Sequence, residues 1–569
     1  MHRLALCLLV GSLTSLGALP AQSTPRLREN VARHLDGAFG KTVRFAVEPD
    51  QAARIAFAPN PYHVTEFLLL PDAQGRMWFE YGEGPSGKSA RVTGALEQLG
   101  QAPCAALAQW HRDGATWRVE LTLTDDRAAI AKALSEIDSG RRTWAKRLRN
   151  HSLLAHPEIG ESERIAGFVR LWSEVKYNFV YFDRRPRLDW EKVLDDYLPR
   201  VQRAASAPAY YRVLRECMAL LQDGHSEVSG PSDDPVAAPP IVLREIEGKA
   251  IVVGVRPPDS IPDDALRREI EAARLSIGDE VTTIDGEAVA DVLATRIHPF
   301  VCASTPQHRS LVSYPQLLRG DPGTVARLGV RARDGTTREV TLTRGYLRAH
   351  APTRRRADGE FESGLVHVAL PSFSHGDAVA HFERLLPTIR SARGLILDLR
   401  DNGGGSTRVG NQVLASLTDK PLAGSHWRTR MYRPAFRAWG SPEAWHHGKH
   451  DDVVPGKDPW LGPIVVLTGP RTFSAAEDFL VVLKAAGRAR LVGEPTGGST
   501  GQPLAIEGLP GGGHARVCAK RDTFPDGTEF VGVGVLPDVD VRPTVAGLVA
   551  GRDEVFERGV AELRTMIGK

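Results

Sequence analysis

Ser474 stands where the chain passes from strand to helix. The apolar run Pro463–Gly469 reads as a buried strand, and Pro470–Lys484 carries a helical pattern. A serine at such a junction exposes its hydroxyl, faces unpaired backbone N–H groups and lies at the positive end of a helix dipole. A nucleophile for acyl transfer needs those conditions. An ordinary helix cap meets them too, so the segment alone leaves both readings open. Asp401-Asn402-Gly403-Gly404-Gly405 follows a second apolar run, Gly394–Arg400. Its glycines let backbone amides approach a ligand with no Cβ in the way, although a tight strand-to-helix loop has the same composition. Asp223-Gly224-His225-Ser226 ends a helical stretch and presents His225 in a loop. His225 reads equally well there as an unremarkable loop histidine. Glu477 and Asp478 favour the N-terminus of their helix electrostatically.

Other clusters carry less. His446-His447-Gly448-Lys449-His450-Asp451-Asp452 lacks the i, i+4 histidine spacing of helical zinc sites and reads as a polar surface loop. Gly511-Gly512-Gly513 has no phosphate-loop context and reads as a hairpin turn. Cys104, Cys217, Cys302 and Cys518 are scattered without CxxC spacing, and any disulfide pairing among them is left open. No metal or cofactor is called for.

Four kinds of element must position these residues. Residues 22–150 alternate short strand patterns (Val43–Val47, Glu66–Leu70, Met77–Tyr81, Trp117–Leu123) with turns. A helical stretch is expected at Leu27–Leu35 and another over Asp126–Leu148, so the module reads as α+β. Residues 151–235 are helical, with Asp189 as a cap and a last helix over Ala207–Leu221 that delivers His225. After a Pro-rich linker, residues 236–348 turn to strands, with Leu275–Val289 as a strand–turn–strand around Asp285-Gly286. The stretch 290–325 is an insertion in that pattern. Residues 349–569 alternate strands and helices, which implies crossover connections and a largely parallel sheet.

At 569 residues the chain exceeds one core and divides into several domains. A formal charge of +3, spread over mixed Arg and Asp/Glu, gives no footprint for nucleic acid. His2 and Arg3, the apolar run Leu4–Ala18 and the small residue Ala21 read as a signal peptide over residues 1–21. No later run is long enough to span a membrane. The mature protein is therefore expected in a periplasmic or secreted location.

Taken in order, Asp223-Gly224-His225, Leu275–Val289, Asp398–Gly405, Thr472–Glu477, Gly493–Gly501 and Glu529–Asp538 resemble the family of C-terminal processing and tricorn-core serine peptidases. The likeness covers roughly residues 150 to 545. It implies a multidomain α/β architecture: a crotonase-like α/β peptidase core, a helical segment, a PDZ-like β domain and the N-terminal α+β accessory module. It implies a serine endopeptidase with Ser474 as nucleophile. One branch of the family uses a serine–lysine dyad, but here Ser499 occupies the lysine's position. The tricorn-like branch uses a histidine and a distant glutamate, and His225 and Glu529 match those positions. A hydroxyl needs a positioned base near neutral pH, histidine suits that task, and a carboxylate on its far nitrogen fixes the tautomer. Some members place a serine directly before the histidine. Gly224 stands there, so Ser226 or Ser499 is left to act as a relay. The amides of Gly403 or Gly404, and of Ala475, are the expected oxyanion hole. The partners implied are a peptide or unfolded protein, with oligomerisation open. The alternative from another class is a catalytically silent peptide-binding scaffold; a different acyl hydrolase is a third.

Overall fold

Near-continuous apolar runs at Leu365–Ala369, Gly394–Asp398 and Ile464–Thr468 can only be buried on both faces, which is the condition of a parallel sheet. The computed structural model describes residues 159–568, apart from 231–236, 259–260, 262–263, 322, 346–355 and 375. Before residue 159 it describes seven strands. Met1–Ala155 and His156–Lys569 form two separate units.

In the first unit, Gln51–Asn60, His63–Pro71 and Met77–Glu83 are antiparallel neighbours, as are Thr42–Val47, Thr116–Thr124 and Ala105–Asp113. The four strands read from the sequence are among them. Within the helix expected at Leu27–Leu35, the described residues Arg28–Val31 form a strand instead, paired in parallel with Gln51–Arg54. Ladder bonds offered by a neighbouring strand outweigh a weak local helical preference. The leader 1–21 and the charged run Asp126–Leu148 lie outside the described residues.

In the second unit, Glu161–Asn178, Trp190–Gln202 and Ala207–Ala219 are helices. Asp189 caps the second by accepting from the N–H groups of Glu191 and Lys192, and Ser206 caps the third. Phe168, Leu171, Val175, Tyr210, Leu214 and Met218 bury their apolar faces. A β domain follows, with strand order Thr337–Thr343, Val325–Arg331, Glu280–Ile284, Lys249–Val255, Ile241–Ile246, all antiparallel. Asp285 and Gly286 both adopt positive φ, as a tight two-residue hairpin turn requires. The insertion is present and holds the helix Pro306–Ser313.

The last domain is a six-stranded sheet ordered Gly359–Glu362, Leu365–Ala369, Gly394–Asp398, Ile464–Thr468, Arg490–Gly493, Val539–Asp540. All pairs but the first are parallel. Its side chains alternate between two cores. Val366, Val368, Leu395, Leu397, Ile464 and Val466 join the helices of the larger cluster. Leu365, Ile396, Val465, Leu467 and Val492 meet Val555, Phe556, Val560 and Leu563 of the C-terminal helix Glu554–Ile567. The carboxyl ends of the central strands, where α/β sheets present their chemistry, carry the turns at 399–405 and 469–474.

Candidate active site

Ser474 directly precedes the helix Ala475–Ala485 and has φ 57° and ψ −129°, a region L-residues seldom occupy. This sharp turn points its hydroxyl away from the helix, and it makes no side-chain cap bond. Instead Ser474 Oγ lies 3.1 Å from Nε2 of His225, a residue 249 positions earlier in the chain. The other ring nitrogen, Nδ1, lies 2.7 Å from Ser499 Oγ. Ser499 in turn donates to Asp223 Oδ1 at 3.3 Å. One assignment of protons satisfies the row: Ser474 donates to Nε2, Nδ1–H donates to Ser499, and Ser499 donates to the carboxylate. Burial holds the His225 imidazole well below its usual pKa, helped by the charges of Arg516, His308 and Lys520. The ring is therefore neutral near pH 7, the state a base must be in.

Glu477 braces this row. It is fully buried, yet its two oxygens accept from four donors: the Thr496 hydroxyl, and the amides of Gly498 at 2.8 Å, Ser499 at 3.0 Å and Ser474 at 3.2 Å. Burial pushes its carboxyl up to about 8 despite those donors. One side chain thus ties the nucleophile's turn to the Ser499 loop. Sequence reasoning assigned Glu477 only to the helix dipole, although a Ser-x-x-Glu spacing signals reciprocal backbone capping.

Glu529 is not where it was expected. Its carboxylate accepts from Arg521 Nε at 2.5 Å and from Arg184 Nη2 at 2.7 Å, and Ser499 stands on the far nitrogen of His225 instead. Burial raises the Glu529 carboxyl, but the two guanidiniums outweigh it and hold it down to about 2. Arg521, eight residues earlier, and Arg184, from the helical segment, hold this carboxylate, and Asp223 is the carboxylate that reaches Ser499. That residue, two before His225, was quoted within the motif and given no role. Burial raises its pKa against hydrogen bonds from Ser226, Ser304 and Ser499. Ser226 holds the second oxygen of Asp223 at 2.6 Å and accepts from the Cys518 amide, so it supports the carboxylate rather than the imidazole.

The glycine turn divides in a similar way. The Gly404 amide is spent on Asn402 Oδ1 at 2.9 Å, which removes it from the expected oxyanion donors. Gly404 packs too closely against Phe473 O and Ser474 Cβ to carry a side chain, at 2.6 and 2.7 Å from an added Cβ. Among the described residues, the amides of Gly403 and Ala475 have no protein partner. Gly224 is explained as well. A Cβ there would meet Phe473 Cζ at 3.0 Å and His308 Cε1 at 3.2 Å, so a serine before the histidine requires these rings to give way by a few tenths of an ångström.

His446 and His447 are exposed, as expected, but on the strand Ala444–Lys449, paired with His426–Met431, rather than in a loop. His450 instead meets two buried carboxylates, Asp478 and Asp522. Lys520 already supplies a cation there, 2.9 Å from Asp522 and 2.7 Å from His450 Nε2.

Comparison with known proteins places parts of the chain in described families. Residues 364–541 match the peptidase family S41 model, and residues 161–219 match the tricorn protease C1 domain. Ser474 and Ser499 fall inside the first match, while Asp223 and His225 lie between the two. A C-terminal processing peptidase, chloroplastic, from Tetradesmus obliquus is 24% identical over 390 residues, covering 66% of this chain and 77% of that protein. A carboxyl-terminal-processing protease from Picosynechococcus sp. is 24% identical over 335 residues, 58% of this chain and 72% of its own length. Among solved structures, mature CPAF complexed with lactacystin superposes with a TM-score of 0.57 at 17% identity, over 72% of this chain and 99% of that one.

Proposed function

We propose that this chain, which belongs to the C-terminal processing and tricorn-like serine peptidases of family S41, is an endopeptidase working through an acyl-enzyme on Ser474. The observation that carries the reading is the 3.1 Å contact between Ser474 Oγ and His225 Nε2, two residues 249 positions apart in the chain. His225 takes the hydroxyl proton as Oγ attacks the scissile carbonyl, then returns it to the leaving amine. Water repeats the cycle on the acyl-enzyme. As the ring gains charge, Nδ1–H leans on Ser499 and, through it, on the Asp223 carboxylate. The amides of Gly403 and Ala475 receive the oxyanion.

The names of the relatives point to polypeptides cut near their carboxyl ends. The β domain at 236–348 is read as PDZ-like, taking a peptide as an added strand. The protein acts outside the cytoplasm after loss of residues 1–21. Among the described residues, no helix is long and apolar enough to cross a membrane.

The test is digestion of unfolded casein by the mature protein, alongside labelling with a fluorophosphonate probe. Wild type is expected to do both; Ser474→Ala and His225→Ala are expected to lose casein cleavage. Cleavage that survives Ser474→Ala would overturn the nucleophile assignment. Peptide binding without cleavage or labelling would support the silent-scaffold reading instead.

A further inference from the structure

The insertion in the β domain reaches the catalytic row. Within five residues, 304–308, it touches three loops of the site. Ser304 Oγ accepts from the Gly224 amide at 2.9 Å and donates to Asp223 Oδ1 at 3.2 Å. Thr305 Oγ1 donates to Gly497 O at 2.8 Å, and Gln307 Nε2 donates to Thr496 O at 2.8 Å. The His308 ring stacks on Phe473 with centroids 4.6 Å apart, and the His225 ring stacks on the same side chain at 4.8 Å and 5° between planes. The loops carrying His225, Ser474 and Ser499 are all met by this one stretch.

We propose that Ser304 is a positioning residue for the peptidase reaction: it orients and keeps ionised the Asp223 carboxylate on which the His225–Ser499 pair depends. The inference rests on the function proposed above. Asp223 Oδ1 has two hydroxyl donors, Ser499 from the core and Ser304 from the β domain. Oδ2 has Ser226. The titratable groups around Asp223 are His225 on its own loop, Tyr181 from the turn before the second helix, Cys302 from the insertion and Cys518 from the strand Gly513–Cys518. Beside the backbone amide of His225, the hydroxyls of Ser226, Ser304 and Ser499 are the hydrogen bonds that favour the anion. Removing one leaves a buried carboxylate more easily protonated. A protonated Asp223 no longer accepts from Ser499, and the imidazolium loses its distant counter-charge.

The experiment is the pH profile of two rates for wild type, Ser304→Ala and Ser304→Thr: kcat/KM on casein-derived peptide, and fluorophosphonate labelling of Ser474. Ser304→Ala is expected to lower kcat about 3–30-fold with little change in KM, and to move the acid limb upward by about half a pH unit or more. Ser304→Thr keeps the hydroxyl and should restore both. If the alanine variant does not fold, the acid limb of Ser304→Cys, a weaker donor, is expected to move upward. An equal loss at every pH, or an acid limb unmoved in every folded variant lacking the hydroxyl, overturns the inference. A wild type inert toward both peptide and probe overturns the function beneath it, so the two failures are distinct.

Discussion

Ser499→Ala removes the oxygen that His225 Nδ1 meets at 2.7 Å while leaving the nucleophile, the base and the glycine turn in place. In the resting enzyme the lost bond joins two neutral groups. In the transition state the ring carries a developing charge, and a hydrogen bond to a charged group is worth about 1.5–3 kcal/mol against roughly 1 for a neutral pair. Only the difference, about 0.5–2 kcal/mol, acts on the chemical step, so at 1.36 kcal/mol per tenfold kcat should fall about 2- to 30-fold. Ser499 is fully buried and lies behind the imidazole, so KM should stay within about twofold of wild type. Glu529→Gln is the paired control. Its carboxylate is bonded to Arg184 and Arg521, and loosening that partly exposed cluster should leave kcat within about threefold. Steady-state hydrolysis of a fluorogenic peptide measures both. The opposite order, with Glu529→Gln crippled and Ser499→Ala nearly normal at matched thermal stability, would refute the relay drawn through Ser499.

Two further outcomes follow from the same geometry. Glu477 binds a proton in the folded protein up to about pH 8, whereas a free glutamate loses it near 4.3. Between those values the native state holds a proton the unfolded chain has released, so this group's stabilisation is full below about pH 4 and is lost as pH rises through about 8. The difference in unfolding free energy, wild type minus Glu477→Gln, should therefore shrink between pH 5 and 8, by an amount on the order of 3–5 kcal/mol at most. Taking the difference cancels His225 and His308, whose depressed pKa values act with the opposite sign. A difference constant with pH, followed by scanning calorimetry, would contradict the raised carboxyl. Gly224→Ser would rebuild the serine that some relatives carry before the histidine. Here its Cβ presses on Phe473 and His308, so a loss of about 1–3 kcal/mol and reduced kcat are expected. A more active, equally stable variant would contradict the steric reading.

Much of the site was legible because the family's motifs are local. Ser474, His225 and the glycine turn could be placed from strand–turn–helix patterns and the order of segments. What escaped depends on distance. Glu529 and Asp223 are both carboxylates near family motifs, and only the fold shows that one is held by arginines from elsewhere while the other reaches Ser499. Gly403 and Gly404 look alike in sequence, yet the single contact from Asn402 separates a free amide from a spent one. In the first unit the alternating strands were read correctly, but Arg28–Val31 took its conformation from a partner strand beginning some twenty residues later, which no local pattern records. The insertion at 290–325 was seen as an interruption, and its chemistry arises only where it lands.

The replacement of a lysine by Ser499 follows a physical logic in this chain. The position is sealed: Ser499 is fully buried between His225 and Asp223, with its amide on Glu477. A lysine base must be neutral to act and gains that state from desolvation. Beside the anionic Asp223 an ammonium would instead be held charged. A short hydroxyl avoids the conflict, because it donates to the carboxylate and accepts from an imidazole at once. The base then has to be a residue already neutral near pH 7, and burial makes His225 one. Gly224 is consistent with this arrangement, since a side chain there would press on the Phe473 and His308 rings, and Ser499 is the hydroxyl that reaches Nδ1. On this reading, with Ser499 in the position where the other branch has its lysine, His225 serves as the base for Ser474.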